Sequence, residues 1–127
     1  MRKLSYALAL WLAFVLIMPC VSLAGSNRWE PQIKFLCKTL KNSNAQIRLQ
    51  AANLLSELGV RAVSAIPALI QALDDRDSFV KRACIEVLVK MGSQATPAIP
   101  ALLRILRDKF PLNRSAAAKA LGRLRLE

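Results

Sequence analysis

The chain has 127 residues, 54% of them hydrophobic, and its 19 Lys and Arg against 8 Asp and Glu give a formal net charge of +11. That length fits a single domain. Histidine is absent and the only tyrosine is Tyr6, which excludes His-based acid–base catalysis and His-ligated metal sites.

The first predicted element is a leader over residues 1–24. Met1-Arg2-Lys3 is a short positive region, Ala7 to Met18 is an uninterrupted apolar run, and Pro19 breaks it. Ser22-Leu23-Ala24 before Gly25 then supplies the small residues of a signal-peptide cleavage site. The alternative is an uncleaved anchor, because Leu4 to Ala24 carries no charge and just reaches membrane-spanning length. Cys20 follows Pro19, not the small residue of a lipobox, and reads as part of the leader. The expected location is exported, periplasmic or extracellular, with membrane anchoring by the N-terminal segment as the alternative. Residues 25–33 form an N-terminal cap segment, in which Trp29 is expected to cover the apolar end of the first helix pair, with anchoring of a partner as the alternative.

Beyond it the chain repeats itself. Ile66-Pro67-Ala68-Leu69-Ile70 superposes on Ile99-Pro100-Ala101-Leu102-Leu103 at an offset of 33 residues. The same offset aligns Leu40/Leu73/Leu106, Ile47/Val80/Asn113, Ala51/Cys84/Ala117, Leu55/Leu88/Leu121 and Leu58/Met91/Leu124. Three copies result, over 34–66, 67–99 and 100–127. Within a copy the apolar residues keep helical spacing twice, as at Ala68, Leu69, Ala72, Leu73 and then Val80, Cys84, Val87, Leu88, Met91. The spacing predicts helices near 31–41, 45–58, 64–74, 77–91, 97–108 and 111–125. Asn42-Ser43-Asn44 and Asp74-Asp75-Arg76-Asp77 offer N-caps, Gly59 and Gly92 stand where C-caps belong, and Pro67, Pro97, Pro100 and Pro111 crowd the helix starts. No alternating apolar and polar run marks a strand, so the expected fold is all-α.

These residues resemble HEAT repeats, in particular the short HEAT-like repeats of the phycobilisome-lyase type. The matching pieces are Ala68-Leu69-Ile70-Gln71-Ala72-Leu73, Asp75-Arg76-Asp77, Val80-Lys81, Cys84, Leu88 and Gly92. Copy one repeats them at Ile47-Arg48, Ala51-Ala52, Leu55 and Leu58-Gly59, and copy three at Arg114, Ala117-Ala118 and Ala120-Leu121-Gly122. The resemblance implies a right-handed α–α superhelix, a HEAT-like solenoid of about three two-helix repeats. Ankyrin repeats share the period, but their Thr-Pro-Leu-His turn is missing. Asn113 departs from the pattern, which has an apolar residue there, and copy three is expected to be the terminal cap.

Arg48, Lys81 and Arg114 recur at one repeat position near acidic or amide residues. They read as an inter-repeat ladder of ion pairs and caps, a structural set. On the second helices the core stripe is expected at 47, 51, 54 and 58. Positions 50, 53 and 57 then share a separate face. Across the copies that face reads Gln50, Asn53, Glu57; then Ala83, Glu86, Lys90; then Ala116, Lys119, Arg123. It turns basic toward the C-terminal end, where residues 101–127 carry seven basic and two acidic side chains. Asn53, Glu57, Glu86, Lys90, Lys119 and Arg123 are therefore the candidate partner-binding residues, and the expected partner is a protein with an acidic surface.

Nucleic acid, the usual partner of so basic a chain, is opposed by the export signal, by the lack of aromatics interleaved with the basic residues, and by the short chain. Membrane association requires an uncleaved leader. Cys37 and Cys84 fall on core positions, and whether they pair is left open. Asp74, Asp75 and Asp77 form the only acidic cluster, on a turn where N-capping accounts for them. With no nucleophile–base pair, no phosphate loop and no metal or cofactor site, the expected function is a non-catalytic interaction module or small scaffold. The alternative, implied by the phycobilisome-lyase resemblance alone, is a lyase or cofactor-handling accessory.

Overall fold

The computed structural model describes residues 28–126. The predicted leader and anchor, residues 1–24, lie outside them. Six α-helices follow in order: α1 (Glu30–Thr39), α2 (Ala45–Leu58), α3 (Ile66–Ala72), α4 (Ser78–Met91), α5 (Ile99–Ile105) and α6 (Pro111–Leu126). Among the described residues there is no strand, as the absence of alternating runs predicts.

Corner chemistry sets the starts of the second helices. Asn44 caps α2 by accepting the Gln46 N–H at 2.9 Å, and Asp77 caps α4 by accepting those of Phe79 and Val80 at 2.8 and 3.2 Å. Each cap satisfies an amide that the helix cannot pair internally. At the other end, Gly59 and Gly92 take φ of 55° and 62° with ψ of −128° and −137°. Only glycine enters that region without strain, so α2 and α4 stop where the spacing predicts.

The first helices of copies two and three are shorter than expected. The predicted spans 64–74 and 97–108 shrink to the seven-residue α3 and α5. The residues before them, Gly59–Ala65 and Gly92–Ala98, wind as 3-10 helix. Pro67 and Pro100 sit in the first turn of α3 and α5, where their missing N–H costs nothing. At the far ends, Asp74 N–H and Asp75 N–H bond to the carbonyls of Gln71 and Ala72, a tight winding that closes the helix into the corner.

The second helices stack in the order α2, α4, α6, and α3 and α5 pack as hairpins on α4 and α6. Residues 31–127 form one compact unit. Its core is aliphatic and runs through every copy: Ala51, Cys84 and Ala117 are buried at one register, and Leu55 and Leu88 at another. Helix α4, between two neighbours, buries Val80, Cys84, Ile85, Val87, Leu88 and Met91.

The stripe predicted on α2 is corrected. Ile47 and Leu54 are 36% and 47% exposed, whereas Arg48, Ala51, Ala52 and Leu55 are buried. Their register equivalents Val80 and Val87 are buried in α4, because α4 has α2 beside it, whereas among the described residues no copy packs on the 47/54 side of α2. Asn113 is fully buried, and its amide faces Asp108 Oδ1 at 3.5 Å. Cys84 is a free thiol. Burial, assisted by the nearby Asp75 charge, pushes the Cys84 thiol up to about 12, so it stays protonated as a small core residue at neutral pH.

Candidate functional site

Two polar arrangements arise from the repeat. One is a ladder at the corners. Asn42, Asp75 and Asp108 each accept, through Oδ1, the backbone N–H two residues on. The carboxylates also take a cation from the copy before. Arg48 grips Asp75 with two bonds, Nε to Oδ2 at 2.7 Å and a terminal nitrogen to Oδ1 at 3.0 Å. Lys81 Nζ reaches Asp108 Oδ2 at 2.6 Å. The second terminal nitrogen of Arg48 donates to the carbonyls of Asn42 and Ser43. Hydrogen bonding to Asp75 outweighs burial and holds the guanidinium charged more firmly than an ordinary arginine. The ladder expected at 48 and 81 is thus present, while the third member, Arg114, meets no carboxylate among the described residues.

Asp108 ties the ladder to pH. Burial pushes its carboxyl up, but the Lys81 ammonium, the Phe110 N–H and the Asn113 amide together outweigh this and hold it below its ordinary value. A carboxyl whose folded value is depressed contributes stability above its unfolded value, near 3.9. That contribution disappears as pH falls through the folded value. The urea midpoint of the wild type should fall more steeply between about pH 5 and pH 2 than that of Asp108→Asn. Parallel profiles would refute this role.

The second arrangement is a groove of about 760 Å³ between α4 and α6. Ile85, Val89, Ala116 and Ala120 contribute its apolar lining, and Arg82, Glu86, Lys90, Lys119 and Arg123 its charged groups. Four of the six predicted site residues, Glu86, Lys90, Lys119 and Arg123, therefore meet in one place. Asn53 and Glu57 are exposed on α2 and do not line this groove.

The structure adds residues outside the predicted set. Arg82 and Leu112 also line a second hollow with Phe79 and Phe110, so the groove opens onto an exposed apolar mouth. There the Arg82 guanidinium lies 5.7 Å from the centre of the Phe79 ring, and Lys109 Nζ 5.1 Å from that of Phe110. The expectation that no aromatics stand among the basic residues is corrected: each ring lies beside a cation on its own corner, and folding brings the two corners together. A signal was available, since Phe79 and Leu112 occupy one repeat position, where copy one has Gln46 and no core role is assigned.

The groove thus joins an apolar lining to flanking charge that is mostly positive. No group of metal-ligating side chains occurs among the described residues. No curated protein matches the chain. A family model for HEAT repeats matches residues 33–122, a span that contains the corner ladder and most of the three copies, and the chain belongs to the HEAT-repeat family.

Proposed function

We propose that this is an exported, non-catalytic binding module whose α4–α6 groove takes an acidic, amphipathic segment of a protein partner. HEAT repeats as a class serve as protein-interaction scaffolds. What carries the specific reading is the groove itself, with Arg82, Lys90, Lys119 and Arg123 around an apolar lining that opens onto Phe79, Phe110 and Leu112. Basic groups at the edge speed encounter and select the sign of the partner, and the apolar centre supplies the affinity. Export is supported by the charged start, apolar run and small residues of positions 1–24. The non-catalytic reading is supported by the absence of histidine and of any nucleophile–base pair in the sequence.

The test is a crosslinked pull-down from the exported fraction. A partner captured by the wild type should be recovered about tenfold less, a change of about 1.4 kcal/mol, by the variant Lys90→Glu/Lys119→Glu/Arg123→Glu. Equal recovery would show that the groove is only a solvated surface. The mass of the N-terminal peptide of the exported protein checks cleavage after Ala24.

A further inference from the structure

We infer that the outer face of copy three is a second docking site, which grips an aspartate at a helix corner of a partner protein through Arg114. The inference stands apart from the α4–α6 groove, whose lining does not include Arg114.

The ladder itself supplies the template. In copy one, the Arg48 guanidinium is held in place by its own corner, with one terminal nitrogen on the carbonyls of Asn42 and Ser43 at 2.7 and 3.1 Å. Its remaining edge, Nε and the other terminal nitrogen, then meets both oxygens of Asp75 in the next copy. Arg114 is held in the same way, with a terminal nitrogen on the carbonyls of Asp108 and Lys109 at 2.8 and 3.2 Å. The intervals back along the chain are the same, six and five residues. Among the described residues the edge that takes the carboxylate in copy one has no acceptor in copy three. A guanidinium whose orientation is already fixed loses little further freedom on binding, and its planar fork matches a carboxylate with two parallel bonds.

The apolar surroundings agree. Leu106 is 37% exposed, whereas Leu40 and Leu73 at the same register are 4% and 1% exposed. Ala118 is exposed where Ala52 and Ile85 are buried, and Leu121 is only half-buried where Leu55 and Leu88 are fully covered. A terminal cap has a polar outer face, so the expectation that copy three is one is corrected. This face has the apolar residues and the cation with which copies one and two receive their successors.

The matching surface is therefore an aspartate corner followed by a helix with an apolar side, as Asp75 precedes Val80 and Val87. A second copy of this chain does not supply it. Its leading corner carries Asn42, whose Oδ1 is already taken by the Asn44 N–H. The amide would then set an NH2 donor against the guanidinium, where Asp75 offers a second oxygen.

The probe is a synthetic peptide of residues 72–91, which contains the Asp75 corner and the whole of α4, beside the same peptide with Asp75→Asn. The aspartate peptide should bind the full chain at least about tenfold more tightly than the asparagine peptide, and the Nε–H resonance of Arg114 should shift on titration. Arg114→Ala should erase the difference between the peptides, while Lys90→Glu/Lys119→Glu/Arg123→Glu should leave it in place. Equal affinities, a difference that survives Arg114→Ala, or no binding by either peptide would each overturn the assignment. Loss of the difference in the triple variant would place the peptide in the groove and likewise overturn the assignment, whereas the groove reading itself stands or falls by the pull-down.

Discussion

Asp75→Ala should destabilise the protein by about 3–5 kcal/mol, because it strands a buried guanidinium. The Arg48 and Asp75 side chains are only 8% and 9% exposed, so water cannot replace the lost carboxylate. The same substitution removes the acceptor of the Asp77 N–H and loosens the corner that starts α4. The adjacent Asp74 is the control. Its partner Arg104 is 3.5 Å away and both side chains are about two-thirds exposed, which limits Asp74→Ala to about 0–1 kcal/mol. Urea denaturation of the two variants measures the contrast, and a cost below about 1 kcal/mol for Asp75→Ala would mean that Arg48 finds other acceptors. Exchanging the pair together, Arg48→Met with Asp75→Leu, should recover much of the loss, since removing both charges leaves neither unpaired.

Leu88→Ala should cost about 2–5 kcal/mol, the range for emptying a closed aliphatic site. Leu88 is fully buried in α4, the helix that packs on both α2 and α6, so the cavity weakens the middle of a three-member stack. Repeat proteins draw their stability from nearest-neighbour interfaces, which leaves no distant core to compensate. The register equivalent Leu121 lies on the open side of copy three and is half-buried, so Leu121→Ala should cost about 1 kcal/mol. Denaturation of Leu55→Ala, Leu88→Ala and Leu121→Ala in parallel checks the order. Equal losses at 88 and 121 would show that the outer face is covered in solution.

The repeat period, the six helices and the corner caps were legible in the sequence because each is a local pattern. Proline at a helix start, asparagine or aspartate at a corner and glycine after the last turn act within a few residues. The α2 stripe failed for the opposite reason. Periodicity shows that Ile47 and Leu54 share a face with Ala51, but which apolar face is covered depends on the neighbour. Among the described residues copy one has a neighbouring copy on only one side.

The same limit governed the site. Lys90, Lys119 and Arg123 could be grouped by register, and folding did gather them with Glu86. The apolar mouth was missed because Phe79 and Phe110 are far apart in the chain and meet only when α4 and α6 pack. Arg114 groups with Arg48 and Lys81 because the three are equivalent in sequence. They differ only in the neighbour that each one faces in space, which a register cannot express.

The ladder has a kinetic consequence. Both ion pairs of the ladder close over 27 residues, and each second helix touches its immediate neighbours in the stack. Each rung therefore closes a loop of about one repeat, and the loop entropy to be overcome does not grow along the stack. Two adjacent copies suffice to form the first pair, so order can spread from one rung to the next as the polypeptide lengthens, without waiting for distant segments to meet.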